Sequence, residues 1–97
     1  MRLRIQLTTS SRPRLPKHVR LQFDATREKW VVLAPERVLW PDDISVDIVK
    51  RCDGEQPIKC IVANLAAEYD ADIDQVEADV MEFLQGWSDQ RLLVSEA

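Results

Sequence analysis

Val19-Arg20-Leu21-Gln22-Phe23-Asp24, followed by Trp30-Val31-Val32-Leu33-Ala34-Pro35-Glu36-Arg37-Val38-Leu39-Trp40-Pro41, decides the fold. In the first run Val19, Leu21 and Phe23 alternate with Arg20, Gln22 and Asp24, the period-two pattern of a half-buried strand. Asp24 to Lys29 is a polar connection of hairpin length. Trp30 to Ala34 is apolar on both sides and reads as a second strand. Pro35-Glu36 makes a tight turn, and Arg37 to Trp40 is a short third strand stopped by Pro41. Three short strands in succession predict an antiparallel meander.

Downstream the period changes to 3.6. Asp42 and Asp43 are good N-cap residues, and Ile44, Ile48 and Cys52 share one helical face with Val49 beside them. Asp53-Gly54 ends this helix, the glycine supplying a left-handed residue without steric cost. Pro57 suits the first position of a second helix, where a missing N–H costs nothing. Its buried stripe is Ile58, Ile61, Val62, Leu65 and Ala66, with Tyr69 as an extension. After the break at Asp70 to Asp72, the Asp74 to Glu77 spacing, or Asp72 itself, caps a third helix. Ile73, Val76, Val80, Phe83, Leu84 and Trp87 recur along it at helical spacing. Leu92-Leu93-Val94 is expected as a short extended tail against the core. The order β-β-β-α-α-α predicts one α+β domain, a three-stranded antiparallel sheet followed by three helices.

Upstream, residues 1–15 contain Thr8-Thr9-Ser10-Ser11 and Pro13, without sustained periodicity. They are expected to be a flexible basic segment or linker, with 16–97 as the folded domain. Leu3, Ile5 and Leu7 alternate and would form a short strand only if something paired with them.

The chain has 97 residues, 45% of them apolar and 31% charged, which is a globular balance. No apolar run approaches the roughly 20 residues of a membrane span, and no signal-peptide core follows Met1, so a cytoplasmic location is expected. The net charge of −4 conceals an asymmetry. Residues 1–20 hold Arg2, Arg4, Arg12, Arg14, Lys17 and Arg20 and no acid. Between Lys59 and Arg91 there are eight acids and no base.

Catalytic and cofactor motifs are missing. Two glycines in the chain leave no phosphate-cradling loop, and no P-loop, H-E-x-x-H or G-x-S-x-G pattern occurs. Cys52 and Cys60 have neither redox nor zinc-knuckle spacing, and His18 is remote from both. No enzyme activity, cofactor or metal is expected. A winged-helix nucleic-acid binder has the right elements but the wrong charge. Its third helix would carry Asp72, Asp74, Glu77, Asp79 and Glu82 against phosphates that require Lys and Arg. A peptide-binding module fits better. The third strand, if it is a sheet edge, offers unpaired backbone groups to an added strand, with Trp40 and the apolar flank of the acidic third helix beside it. A small oligomeric scaffold is the remaining alternative. A monomer in dilute solution is expected, although edge pairing would permit a dimer.

The strand runs quoted above, Leu33-Ala34-Pro35-Glu36-Arg37-Val38 and Cys52-Asp53-Gly54 in particular, resemble the PqqD family. Ile61-Val62, Leu65-Ala66, Tyr69, Asp79-Val80 and Phe83-Leu84 continue the match over residues 16–94. The resemblance implies a winged helix-turn-helix-like recognition element for ribosomally made precursor peptides. It implies a chaperone that binds the PqqA peptide and delivers it to the radical SAM enzyme PqqE in pyrroloquinoline quinone biosynthesis. In that group the leader peptide adds beside the third strand and lies against the third helix. Carried onto this chain, one wall of the groove is Arg37, Val38, Leu39 and Trp40, and the other is Val76, Asp79, Val80 and Phe83. Residues 1–15 lie outside the resemblance and would be a fusion linker to a PqqC-type protein or a partner-contacting arm.

Overall fold

A computed structural model describes residues 6–95. The elements are β1 (Pro13–Arg14), β2 (Arg20–Asp24), β3 (Lys29–Ala34), β4 (Arg37–Leu39), α1 (Asp43–Lys50), α2 (Ile58–Glu68), α3 (Ile73–Asp89) and β5 (Val94–Ser95). The meander is present as an antiparallel sheet in the order β2-β3-β4, and the three helices follow it. Leu21 stands opposite Val32, and Val32 opposite Leu39. This row crosses the sheet on its helix side and packs into the core with Ile48, Val49, Ile58, Ile61, Val62, Leu65, Val80, Leu84 and Trp87. Ile58, Ile61 and Leu84 are fully buried, each contributing roughly 1.5–3 kcal/mol through removal of its side chain from water.

The helix starts follow from short polar side chains. Asp42 accepts the Ser45 N–H at 2.8 Å, and Asp72, not the Asp74–Glu77 pair, accepts the Gln75 N–H at 3.2 Å. Pro57 stands one place earlier than expected, as the N-cap of α2. Ile44 departs from its predicted face. It is 60% exposed, because the first turn of α1 extends past the core, and Val46 is buried in its place.

Gly54 is not the stop of α1, which ends at Lys50 with Arg51 as its cap in right-handed geometry. The glycine adopts φ +80° three residues later and donates its N–H to the Pro13 carbonyl at 2.8 Å. A β-carbon there would lie 3.0 Å from Arg14 Cδ. The glycine therefore fits the chain leaving α1 against β1.

Residues 7–15, expected to be flexible, are packed. Leu7 and Ser11 are 3% exposed and Pro13 is fully buried. The Ser11 and Thr9 carbonyls accept the N–H groups of Ile58 and Lys59, both at 2.9 Å. Pro13 and Arg14 pair antiparallel with Ser95 and Val94. The tail anticipated at Leu92-Leu93-Val94 pairs through Val94 and Ser95 with Pro13 and Arg14, and Leu7, one of the suggested strand positions, lies outside any strand. The suggested strand positions Leu3 and Ile5 lie outside the described residues.

A polar clamp joins α1 to α2. Arg51 donates to Asp47 at 2.8 Å and also to Glu68, and the Tyr69 hydroxyl donates to Asp47 at 2.6 Å. Burial pushes the Asp47 carboxyl upward, but the donors from Arg51 and Tyr69 outweigh it and hold the group below its ordinary range.

Candidate functional site

β4 ends the three-stranded sheet, so among the described residues one of its sides has no neighbouring strand. The two-residue Pro35-Glu36 turn, with Glu36 at φ +60°, makes Ala34 and Arg37 the hydrogen-bonded pair that closes the hairpin. Hydrogen-bonded and non-bonded pairs alternate along an antiparallel ladder. Val38, opposite Leu33, therefore directs its N–H and C=O away from β3, into the open edge.

Side chains alternate in the opposite sense. Leu39 packs against the core on the helix side. Val38 is 58% exposed and borders a cleft with Val31, Leu33, Arg27 and Trp40. Trp40 lies one residue past the strand, with the Arg27 guanidinium 5.5 Å from its ring centroid. It also borders the space by Trp30, Pro41 and Val46, and so sits at the sheet corner.

Arg37 fixes the relation between β4 and α3. Its guanidinium donates to the Gln90 side-chain oxygen at 2.6 Å. On a helical projection Gln90 shares a flank with Val76, Asp79, Phe83 and Gly86. Val76 and Phe83 are half-buried against the core edge, and Phe83 packs on Trp87 with ring centroids 5.1 Å apart. Asp79 is exposed and accepts from Gln75 at 3.0 Å. Nothing lies within 4 Å of where a Gly86 β-carbon would be. The flank thus offers two apolar side chains, a carboxylate and a stretch of bare backbone.

Of the eight predicted site residues, Arg37 is joined to the end of α3 through Gln90, Leu39, Val76 and Phe83 are half-buried against the core, Asp79 is exposed on α3, and Trp40 borders the cleft on the other sheet face with Val31, Leu33 and Val38. Val38 contributes backbone to the edge while its side chain lies on the other sheet face. Val80 is 2% exposed and belongs to the core beneath. Gly86 and Gln90 were missed. Extending the Asp79–Phe83 spacing by one and two further turns would have reached both.

The remaining chemistry is sparse. Burial, then the neighbouring Asp53 charge, pushes the Cys52 thiol up to about 12, which removes its nucleophilic form at neutral pH. Cys60 is exposed. Among the described residues no three His, Cys, Asp or Glu side chains converge as metal ligands, and no helix is long and apolar enough to cross a membrane.

The sheet edge and helix flank define a class, a small α+β binding element. The model of the family described as coenzyme PQQ synthesis protein D (PqqD) matches residues 29–93, and the chain belongs to that family. It is 48% identical over 89 residues to the "PqqA binding protein" of Rhodopseudomonas palustris strain HaA2, covering 92% of this chain and 87% of the relative. The protein of that description from Xanthomonas axonopodis pv. citri is 48% identical over 87 residues, covering 90% and 95%. Among solved structures, the PqqD truncation of Methylobacterium extorquens PqqCD superposes with a TM-score of 0.76 at 42% identity, covering 91% of this chain and 94% of that one. It is described as a functional, stand-alone recognition element for ribosomally synthesized and post-translationally modified peptides. PqqD from Xanthomonas campestris gives 0.56 at 44% identity, covering 89% and 96%. Members of this family are binding proteins, and the chain is not an enzyme.

Proposed function

We propose that this protein captures a PqqA precursor peptide by strand addition to the open edge of β4, lays it along the Val76-Asp79-Phe83 flank of α3, and presents it in the cytoplasm to the radical SAM enzyme PqqE. The observation that carries this reading is the outward-facing backbone of Val38 beside a helix flank to which Arg37 and Gln90 tie the strand. Family membership and the recognition-element relative support the choice of partner. Backbone pairing supplies affinity without regard to side chains. Leu39, Val76 and Phe83 supply apolar contact, and the acids of α3 favour a peptide carrying bases at that flank. Val80 acts from beneath by holding Phe83 and Val76 in place.

Titration of the 15N-labelled protein with PqqA peptide tests the reading. The expected result is amide perturbation at Arg37–Leu39 and along Val76–Gln90. Perturbations that avoid both segments defeat the groove assignment, and their complete absence defeats the function. Presentation is tested separately. Cross-linking of PqqA by PqqE should accelerate with the intact protein and not with a variant that has lost peptide binding.

A further inference from the structure

Among the described residues the sheet has a second free edge. β2 closes it on the side opposite β4. The pair alternation set by the Pro35-Glu36 turn runs through the sheet. Leu33 points its backbone groups toward Arg20, so Arg20 and Leu33 form a hydrogen-bonded pair and Leu21 and Val32 a non-bonded one. Leu21, and Phe23 two residues on, therefore direct N–H and C=O out of the sheet. A cleft of about 580 Å³ runs along this edge, between β2 and the exit from α1. Its apolar lining is Leu15, Val19, Leu21, Val49 and Cys52, and its charged lining is Arg14, Arg20, Lys50 and one acid, Asp53. Lys17 and His18 border the adjoining space beside Arg20. Lys50 is held there, its ammonium 4.0 Å from the Trp30 ring centroid. Lys17 and Arg20 of the basic N-terminal stretch thus lie along the β2 edge.

We infer that the β2 edge is a second strand-accepting surface, and that its occupant is an extended acidic segment of a partner protein. Outward backbone groups at Leu21 and Phe23 suit a strand, the apolar floor suits its alternate side chains, and Arg20 and Lys50 suit carboxylates at its rim. A nucleic acid would use the cations but not the strand edge, and the acids of α3 oppose it. A second copy of this chain could bring its acidic α3, but a helix cannot pair with an edge.

The test uses a blocked peptide of about ten alternating Glu and Val residues, long enough to span the strand at about 3.3 Å per residue. The corresponding Lys-Val peptide and a short single-stranded oligonucleotide are added in parallel to the intact labelled protein. The Glu-Val peptide should shift amides of Arg20–Phe23 and Val49–Asp53, weaken severalfold as salt rises to about 0.2 M, and bind about tenfold more weakly to Arg20→Glu. Arg20→Gln, a milder change, should fall between. PqqA binding, read at Arg37–Leu39, should survive both variants, so failure here and failure of the β4 reading are distinguishable. Three outcomes overturn the inference. Glu-Val shifts may be absent from Arg20–Phe23 or indifferent to Arg20, the oligonucleotide may reproduce them, or the protein alone may self-associate through a contact that Arg20→Glu abolishes.

Discussion

The two edges of the three-stranded sheet have the same backbone grammar and opposite electrostatics. β4 is tied to the end of α3 through Arg37 and Gln90, and the flank of α3 that Gln90 shares carries one acid, Asp79, with Asp74, Glu77 and Glu82 exposed elsewhere on the helix. β2 lies beside Arg14, Arg20 and Lys50. A free edge alone is indiscriminate, because every peptide carries the same N–H and C=O groups. Charge placed alongside it supplies discrimination, and on the two proposals made above opposite charges at opposite edges would keep one ligand off the other's site. The net charge of −4 is thus a poor description of either surface.

The strongest way to break this comparison is to remove what the edges share. Leu84 is fully buried against the sheet and α2, so Leu84→Ala should cost about 2–5 kcal/mol in urea denaturation and weaken both edges together. Val38→Pro separates them. It removes an N–H that faces the open edge while keeping the ladder to β3, a position at which proline is tolerated. PqqA affinity should fall about tenfold in calorimetry, with Glu-Val binding at β2 unchanged.

Gly86→Ala makes a finer cut. A methyl group at that position meets nothing within 4 Å, and alanine is the better helix former by about 0.5–1 kcal/mol. The variant should be more stable by that amount, yet bind PqqA more weakly if the peptide backbone runs over the glycine. Equal or tighter binding would move the peptide away from that turn of α3.

The smallest effect on binding belongs to the α1–α2 clamp, which lies at neither edge. The folded-state Asp47 carboxyl titrates below its ordinary 3.8. A group depressed by folding contributes stability that is present above its unfolded pKa and lost as pH falls through the folded one. Asp47→Asn should therefore lower stability by about 1 kcal/mol near pH 7. The deficit should shrink as acid approaches and passes pH 3.8, with both edges binding as before at neutral pH.

The sheet and helices were legible because period two gives way to period 3.6 between Trp40 and Asp42, and each pattern gives its elements one apolar face to bury. The two-residue strands β1 and β5 were not. A pair of residues has no period, and Pro13 and Ser95 acquire their role only when the core brings them together. Ile44 and Ile73 misled for a related reason, being apolar residues in first turns that overhang the core. For the site, the edge strand and the acidic helix could be named from the sequence. Which side of that helix faces β4 could not, since spacing puts Val80 and Phe83 equally on the stripe. The proposed orientation rests on the contact of Arg37 with Gln90, a pairing of two polar residues that the hydrophobic pattern does not register.

The pairing of β1 with β5, together with the Leu7 N–H donated to Gln85 across 78 residues, has a kinetic consequence. A contact so distant along the chain cannot nucleate folding, because the entropy of closing that loop must be met before the contact returns anything. This clasp closes last and, under native fluctuation, opens first. Its amides should exchange with solvent well ahead of those in α2 and α3. Release of the clasp would loosen β1 from Asp53 and Gly54 at the rim of the β2 cleft while the meander and β4 stay folded. The molecule would then breathe at one of its edges and hold still at the other.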